Sequence, residues 1–122
     1  MGRYIVFKEV GDTEDKTLLS FRAGSYPNTL GRFLEESLFL KYDNDTHYEL
    51  GNFKAELYPE INKKIEEAKS HIILTLMKKD FDNYELLEWV KEYEELLEIR
   101  GGLGTIVELF ETHKNELLIS YG

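Results

Sequence analysis

Pro59-Glu60-Ile61-Asn62-Lys63-Lys64-Ile65-Glu66-Glu67-Ala68-Lys69-Ser70-His71-Ile72-Ile73-Leu74-Thr75-Leu76 is the stretch on which the fold turns. Ile61, Ile65, Ala68, Ile72 and Leu76 recur at steps of three and four residues, the spacing that lines one face of a helix. Pro59 suits a first helical turn, where a backbone N–H has no partner to lose. The spacing predicts a helix over about 59–78. Its last part, Ile72 to Leu76, also reads as a buried strand after a helix that stops near Ser70. Periodicity alone does not separate the two for so short an apolar run.

Upstream, Phe53, Ala55 and Leu57 alternate like a strand and leave residues 53–58 ambiguous. His47-Tyr48-Glu49-Leu50 reads as a short strand ended by Gly51-Asn52, with Asp43-Asn44-Asp45 as a turn before it. Leu30, Phe33, Leu34, Leu38 and Phe39 follow helical spacing behind a cap at Asn28 or Thr29. Gly31 weakens the first turn of that helix by about 1 kcal/mol relative to alanine. Ala23 to Asn28 reads as a connector. At the start, Tyr4-Ile5-Val6-Phe7 and Thr17-Leu18-Leu19-Ser20-Phe21 are rich in strand formers and flank a polar loop, Gly11 to Lys16, which predicts a β-hairpin.

Downstream, Asp82 or Asn83 can cap a helix whose apolar face is Leu86, Leu87, Val90, Tyr93, Leu96 and Leu97. Gly101-Gly102 is placed to terminate it, with Arg100 at the negative end of its dipole. Thr105-Ile106-Val107-Glu108 matches a capping box for a further helix to about Thr112. Glu116 to Tyr121 reads as a terminal strand. The expected fold is α+β: a small antiparallel sheet, made of the N-terminal hairpin plus one or two further strands, packed against three to four helices. Residues 1–122 are expected to form a single domain. That last helix and Leu117-Leu118-Ile119-Ser120 resemble in organisation the end of barstar-type inhibitors, with no specific motif shared.

With 42% hydrophobic and 13% aromatic residues the chain is too apolar to stay disordered. It has no cysteine, which excludes disulfide frameworks, thiol catalysis and all-cysteine zinc sites. The N-terminal apolar run is too short for a signal peptide, Val6 breaks the myristoylation pattern, and no run approaches the length of a membrane span. A cytoplasmic location, without membrane association, is the expectation.

The formal net charge of −9 is unevenly placed. Residues 1–79 carry 13 acids and 12 bases, whereas residues 80–122 carry 11 acids and only Lys91, Arg100 and Lys114. Direct nucleic-acid binding is not expected of such a surface, because phosphates require lysine and arginine. Glu85, Glu88, Glu92 and Glu95 fall on one helical face, with Trp89 and Tyr93 beside them. Like charges at four-residue spacing repel by a few tenths of a kcal/mol per pair, so folding gains nothing from the row. It is either a binding surface for a basic partner or a solvated face that keeps the chain soluble. Trp89 and Tyr93 are either apolar anchors for that partner or packing against the neighbouring helix.

Other motifs dissolve on inspection. Gly101-Gly102-Leu103-Gly104-Thr105 has no phosphate-binding lysine and no strand leading into it. Asp45-Thr46-His47-Tyr48-Glu49 brackets an imidazole with acids, a pattern more often a polar turn than a metal site. The EF-hand pattern begun at Asp43 fails at Tyr48 and Lys54. No serine lies in a nucleophile elbow. The expectation is a non-enzyme without cofactor or metal, a monomer or weak homodimer that binds a basic protein. The leading expectation is an immunity protein or antitoxin that blocks a nuclease-type toxin. The alternatives are a phage-encoded nucleic-acid mimic that inhibits a host enzyme, and a structural or adaptor protein that oligomerises through its helices.

Overall fold

The computed structural model describes residues 3–11, 14, 16–24 and 29–122. Met1-Gly2, the loop positions Asp12, Thr13 and Asp15, and the connector Ser25-Tyr26-Pro27-Asn28 lie outside the described residues. The chain is α+β, in the order β1 (Arg3–Lys8), β2 (Thr17–Ala23), α1 (Leu30–Ser37), β3 (Asn44–Glu49), α2 (Leu50–Leu76), α3 (Asn83–Thr112), β4 (Glu116–Tyr121). The four strands form one antiparallel sheet in the order β2-β1-β4-β3. The N-terminal hairpin forms as expected, with Ile5 opposite Phe21 and Phe7 opposite Leu19. The terminal strand inserts between β1 and β3, placing Ile119 opposite both Phe7 and Thr46.

Alternation decides what the sheet buries. Ile5 and Phe7 of β1 and Leu117 and Ile119 of β4 are fully buried. They share one core with Phe33 and Leu34 of α1, Phe53, Leu57, Ile61 and Ile65 of α2, and Leu103, Ile106 and Phe110 of α3. Phe53 ties the layers together. Its ring lies 6.4 Å from that of Phe7 and 4.8 Å from that of Phe110.

Three expectations are corrected. First, α2 starts at Leu50 rather than near Pro59, so Gly51 and Asn52 open a helix instead of ending a strand. Phe53 and Leu57 are buried while Ala55 is exposed, which is helical spacing and not alternation. Pro59 sits inside the helix on an exposed face. It removes one backbone donor, and the buried stripe on either side of it carries the helix through. Ile72 to Leu76 continues α2, as the helix expected over about 59–78 requires, and the alternative strand does not form. Second, Gly101-Gly102 does not terminate α3, which runs unbroken from Asn83 to Thr112 and merges the two helices expected there. Thr105 is therefore a helix-interior residue, and the helices number three among the described residues. Third, Asn44 and Asp45 belong to β3, and the turn before them is Tyr42-Asp43, closed by the Asn44 N–H donating to the Lys41 carbonyl at 3.1 Å, with Asp43 at φ 60°.

Two glycines, Gly102 and Gly31, serve close packing between elements. A Cβ on Gly102 would stand 2.6 Å from Leu30 Cδ2, so Gly102 lets α1 lie against α3. A Cβ on Gly31 would collide with the Arg22 carbonyl, so Gly31 lets α1 rest on β2. The starts of α1 and α3 match the expectations at their caps. Thr29 Oγ1 accepts from the Arg32 N–H at 3.3 Å, and Asp82 Oδ1 accepts from the Tyr84 N–H at 2.9 Å. Phe39 is exposed and lies beyond α1. Among the described residues, no helix is long and apolar enough to cross a membrane.

Candidate partner-binding face

The two long helices outreach the sheet that supports them. At 1.5 Å per residue α2 and α3 extend about 40 Å and 45 Å, whereas the six-residue strands span about 20 Å. The shared apolar core reaches only Ala68 on α2 and Leu96 on α3. Residues 69–92 thus form the closed end of a helical hairpin that reaches beyond the core, with Tyr93 packed at the core's edge.

Along α3 the positions 85, 88, 92, 95, 99, 103, 106 and 110 advance by three or four residues and lie on one line. The second half of that line, Ile99, Leu103, Ile106 and Phe110, is buried against the rest of the fold. The first half is Glu85, Glu88, Glu92 and Glu95. One helix face therefore changes from apolar to acidic where the sheet and α1 end. The four glutamates occupy the direction in which the remainder of the helix finds its core.

These glutamates line a surface hollow of about 700 Å³, together with Tyr84, Trp89 and Lys91. All seven residues belong to α3, so the hollow is an open ledge along one helix. A smaller hollow of about 320 Å³ continues it past Glu95 and Glu98 to Thr29 and Leu30 at the start of α1. Lys78, just past the end of α2, reaches across to Glu85, with Nζ 3.3 Å from both carboxylate oxygens. That exposed pair is worth at most about 1 kcal/mol.

Five of the six residues expected at the binding face, Glu85, Glu88, Trp89, Glu92 and Glu95, thus meet in one place. Tyr93 does not join them; it is half-buried and packs on the core. Trp89 packs against the neighbouring helix, one of the two readings expected of it, and also borders the hollow. Its ring lies parallel to that of His71 on α2, centroids 4.0 Å apart, while another part of it lines the hollow. His71 was not marked by the sequence, although its position three residues past Ala68 and four before Thr75 puts it next to the buried stripe of α2. Its stack on Trp89 holds the indole in a set orientation at the edge of the acidic ledge.

Titratable groups elsewhere are engaged in holding the fold. The buried Tyr48 hydroxyl donates to Glu56 Oε2 at 2.7 Å and accepts from the Phe39 N–H at 3.3 Å. Burial, reinforced by the Glu56 carboxylate, pushes its pKa up to about 12. Tyr121 donates to Glu35 Oε2 at 2.6 Å, and burial together with Glu35 raises its pKa as well. The acids flanking His47 do not converge on it. His47 Nε2 faces Glu116 Oε2 at 3.2 Å, and Asp45 pairs with Lys8. Among the described residues, no three metal-ligating side chains gather.

Comparison with protein-family models, with curated proteins and with solved structures finds no match to this chain.

Proposed function

We propose that the chain is a small, non-catalytic, cytoplasmic inhibitor that binds a basic protein and blocks it, acting as an immunity protein or antitoxin against a nuclease-type toxin. The observation that carries this reading is the change of chemistry along the inward line of α3. Four glutamates stand where the helix would otherwise be covered, beside an oriented Trp89, on a ledge open to solvent. Four like charges in a row do nothing for folding. They offer a field that steers a positive surface, and nuclease sites are positive because they hold phosphate. A partner seated there lies where the sheet and α1 would continue. The same surface suits a nucleic-acid mimic acting on a host enzyme, which differs only in the partner.

The quadruple variant E85K/E88K/E92K/E95K tests the reading. It is expected to keep its far-UV circular dichroism and thermal transition, since all four side chains face solvent at least in part. Co-expressed with a nuclease toxin encoded beside it, the native chain is expected to rescue growth and the variant to fail. Rescue by the variant contradicts the reading.

A second reading, self-association through the helices, has one observation in its favour: the closed end of the hairpin exposes apolar side chains. Native mass spectrometry decides it, because a stable homo-oligomer containing the hairpin is required.

A further inference from the structure

A helix that is apolar all round is ordinarily a buried helix. The last turns of α2 break that rule. Thr75 alone faces inward and is buried, its hydroxyl donating to the His71 carbonyl at 2.7 Å. At 100° per residue, Ile73, Leu74, Leu76 and Met77 cover the remaining directions. Leu74 is 58% and Met77 76% exposed. On the other arm of the hairpin Leu87 is 66% exposed, and Tyr84 and Phe81 are also open to solvent. Large apolar side chains concentrated in this way mark an interaction surface.

The charges around this patch indicate what covers it. Residues 78–95 carry seven acids against three lysines, Lys78, Lys79 and Lys91. Lys78 is already held by Glu85. A second copy seated on the same patch brings acid against acid, which opposes association. An anionic bilayer is opposed in the same way. The complementary occupant has an apolar centre and a rim of lysine and arginine.

We infer that the closed end of the α2–α3 hairpin is an apolar docking tip for a basic partner protein, entered by an amphipathic segment whose lysines and arginines lie along the acidic ledge of α3. The inference rests on the proposed function and adds to it the source of affinity. Charge steers the encounter, and the tip supplies the desolvated anchor that slows dissociation.

The probe is a synthetic helical peptide of leucine and lysine in amphipathic order, compared with a scrambled peptide of the same composition. Binding is measured by calorimetry at physiological ionic strength. The native chain is expected to prefer the ordered peptide. The variant L74S/M77S/L87S is expected to weaken that binding by about tenfold or more and to leave the scrambled peptide unchanged. The quadruple glutamate variant is expected to lose both. Single variants L74S and M77S ask the same question should the triple variant misfold. Undiminished binding of the ordered peptide by the tip variant overturns the docking tip while leaving the acidic ledge standing. Undiminished binding by the quadruple variant overturns the ledge as well. A native dimer that the tip variant converts to monomer assigns the tip to a second copy and overturns the inference. So does binding to phosphatidylcholine vesicles that the tip variant abolishes.

Discussion

The two halves of α3 present the same face with opposite chemistry. From Ile99 to Phe110 the face is apolar and buried, and Leu103, Ile106 and Phe110 are sealed completely. From Glu85 to Glu95 it is acidic and borders an open hollow. α2 repeats the contrast, with Phe53, Leu57 and Ile61 fully buried and Leu74 and Met77 largely exposed. Burial explains why the proximal halves are helical and where they sit. It does not explain why both helices continue so far past the sheet, since their far ends add little to the common core. The far end requires a different reason to exist, and an acidic ledge beside an apolar tip supplies one.

The largest effect is expected at the junction of the proximal halves. Phe53 contacts aromatic rings on the sheet and on α3, so F53A leaves a cavity among all three layers. A loss of about 3–5 kcal/mol is expected in chemical denaturation. A loss below about 1 kcal/mol there would mean that the core is organised differently.

The glycines sharpen the comparison at intermediate scale. G31A drives a methyl group into the Arg22 backbone, which cannot yield as a side chain can, and is expected to destabilise by about 1–3 kcal/mol. G101A meets nothing within 4 Å. It replaces an exposed helix-interior glycine and is expected to stabilise by about 0.5–1 kcal/mol. Thermal melts of the two variants check both signs. Destabilisation by G101A would restore the glycine pair to a role as helix terminator.

A further effect, a pH dependence of stability, is confined to alkaline solution and is absent at neutral pH. The Tyr48 pKa is raised from 10 to about 12 in the folded chain, so folding favours the neutral phenol. Its contribution is fully present below pH 10 and is lost as pH rises toward 12, by up to about 1.4 kcal/mol per pH unit for the one proton. Denaturation at pH 9 and pH 11 is expected to show native stability falling more steeply than that of Y48F. Parallel slopes would count against the Tyr48–Glu56 arrangement.

Much of the proximal half was legible in the sequence, because there local pattern and tertiary environment agree. The hairpin, the start of α1 at Leu30 and the terminal strand all follow from residues whose propensity matches their burial, and at the far end the cap at Asp82 was legible as well. The misreadings have identifiable causes. Phe53-x-Ala55-x-Leu57 imitates alternation because Ala55 is apolar yet exposed. Pro59 and Gly101-Gly102 look like helix boundaries, but core contacts on both sides override local punctuation. Ile72 to Leu76 is no misreading: the helix predicted there forms, and a strand stays open in the sequence only because so short an apolar run fits either period. The acidic row was visible as periodicity. Its continuity with the buried line of α3 was not, because the proposed terminator at Gly101 had cut the helix in two. The His71–Trp89 stack joins two helices, and no local pattern announces it.

The division between a folding half and a docking half is tested most directly by hydrogen–deuterium exchange with and without the ordered leucine–lysine peptide. Added protection is expected over residues 72–95, with β1 to β4 and residues 99–112 unchanged. Protection spread over the sheet, or none at 72–95, would contradict that division.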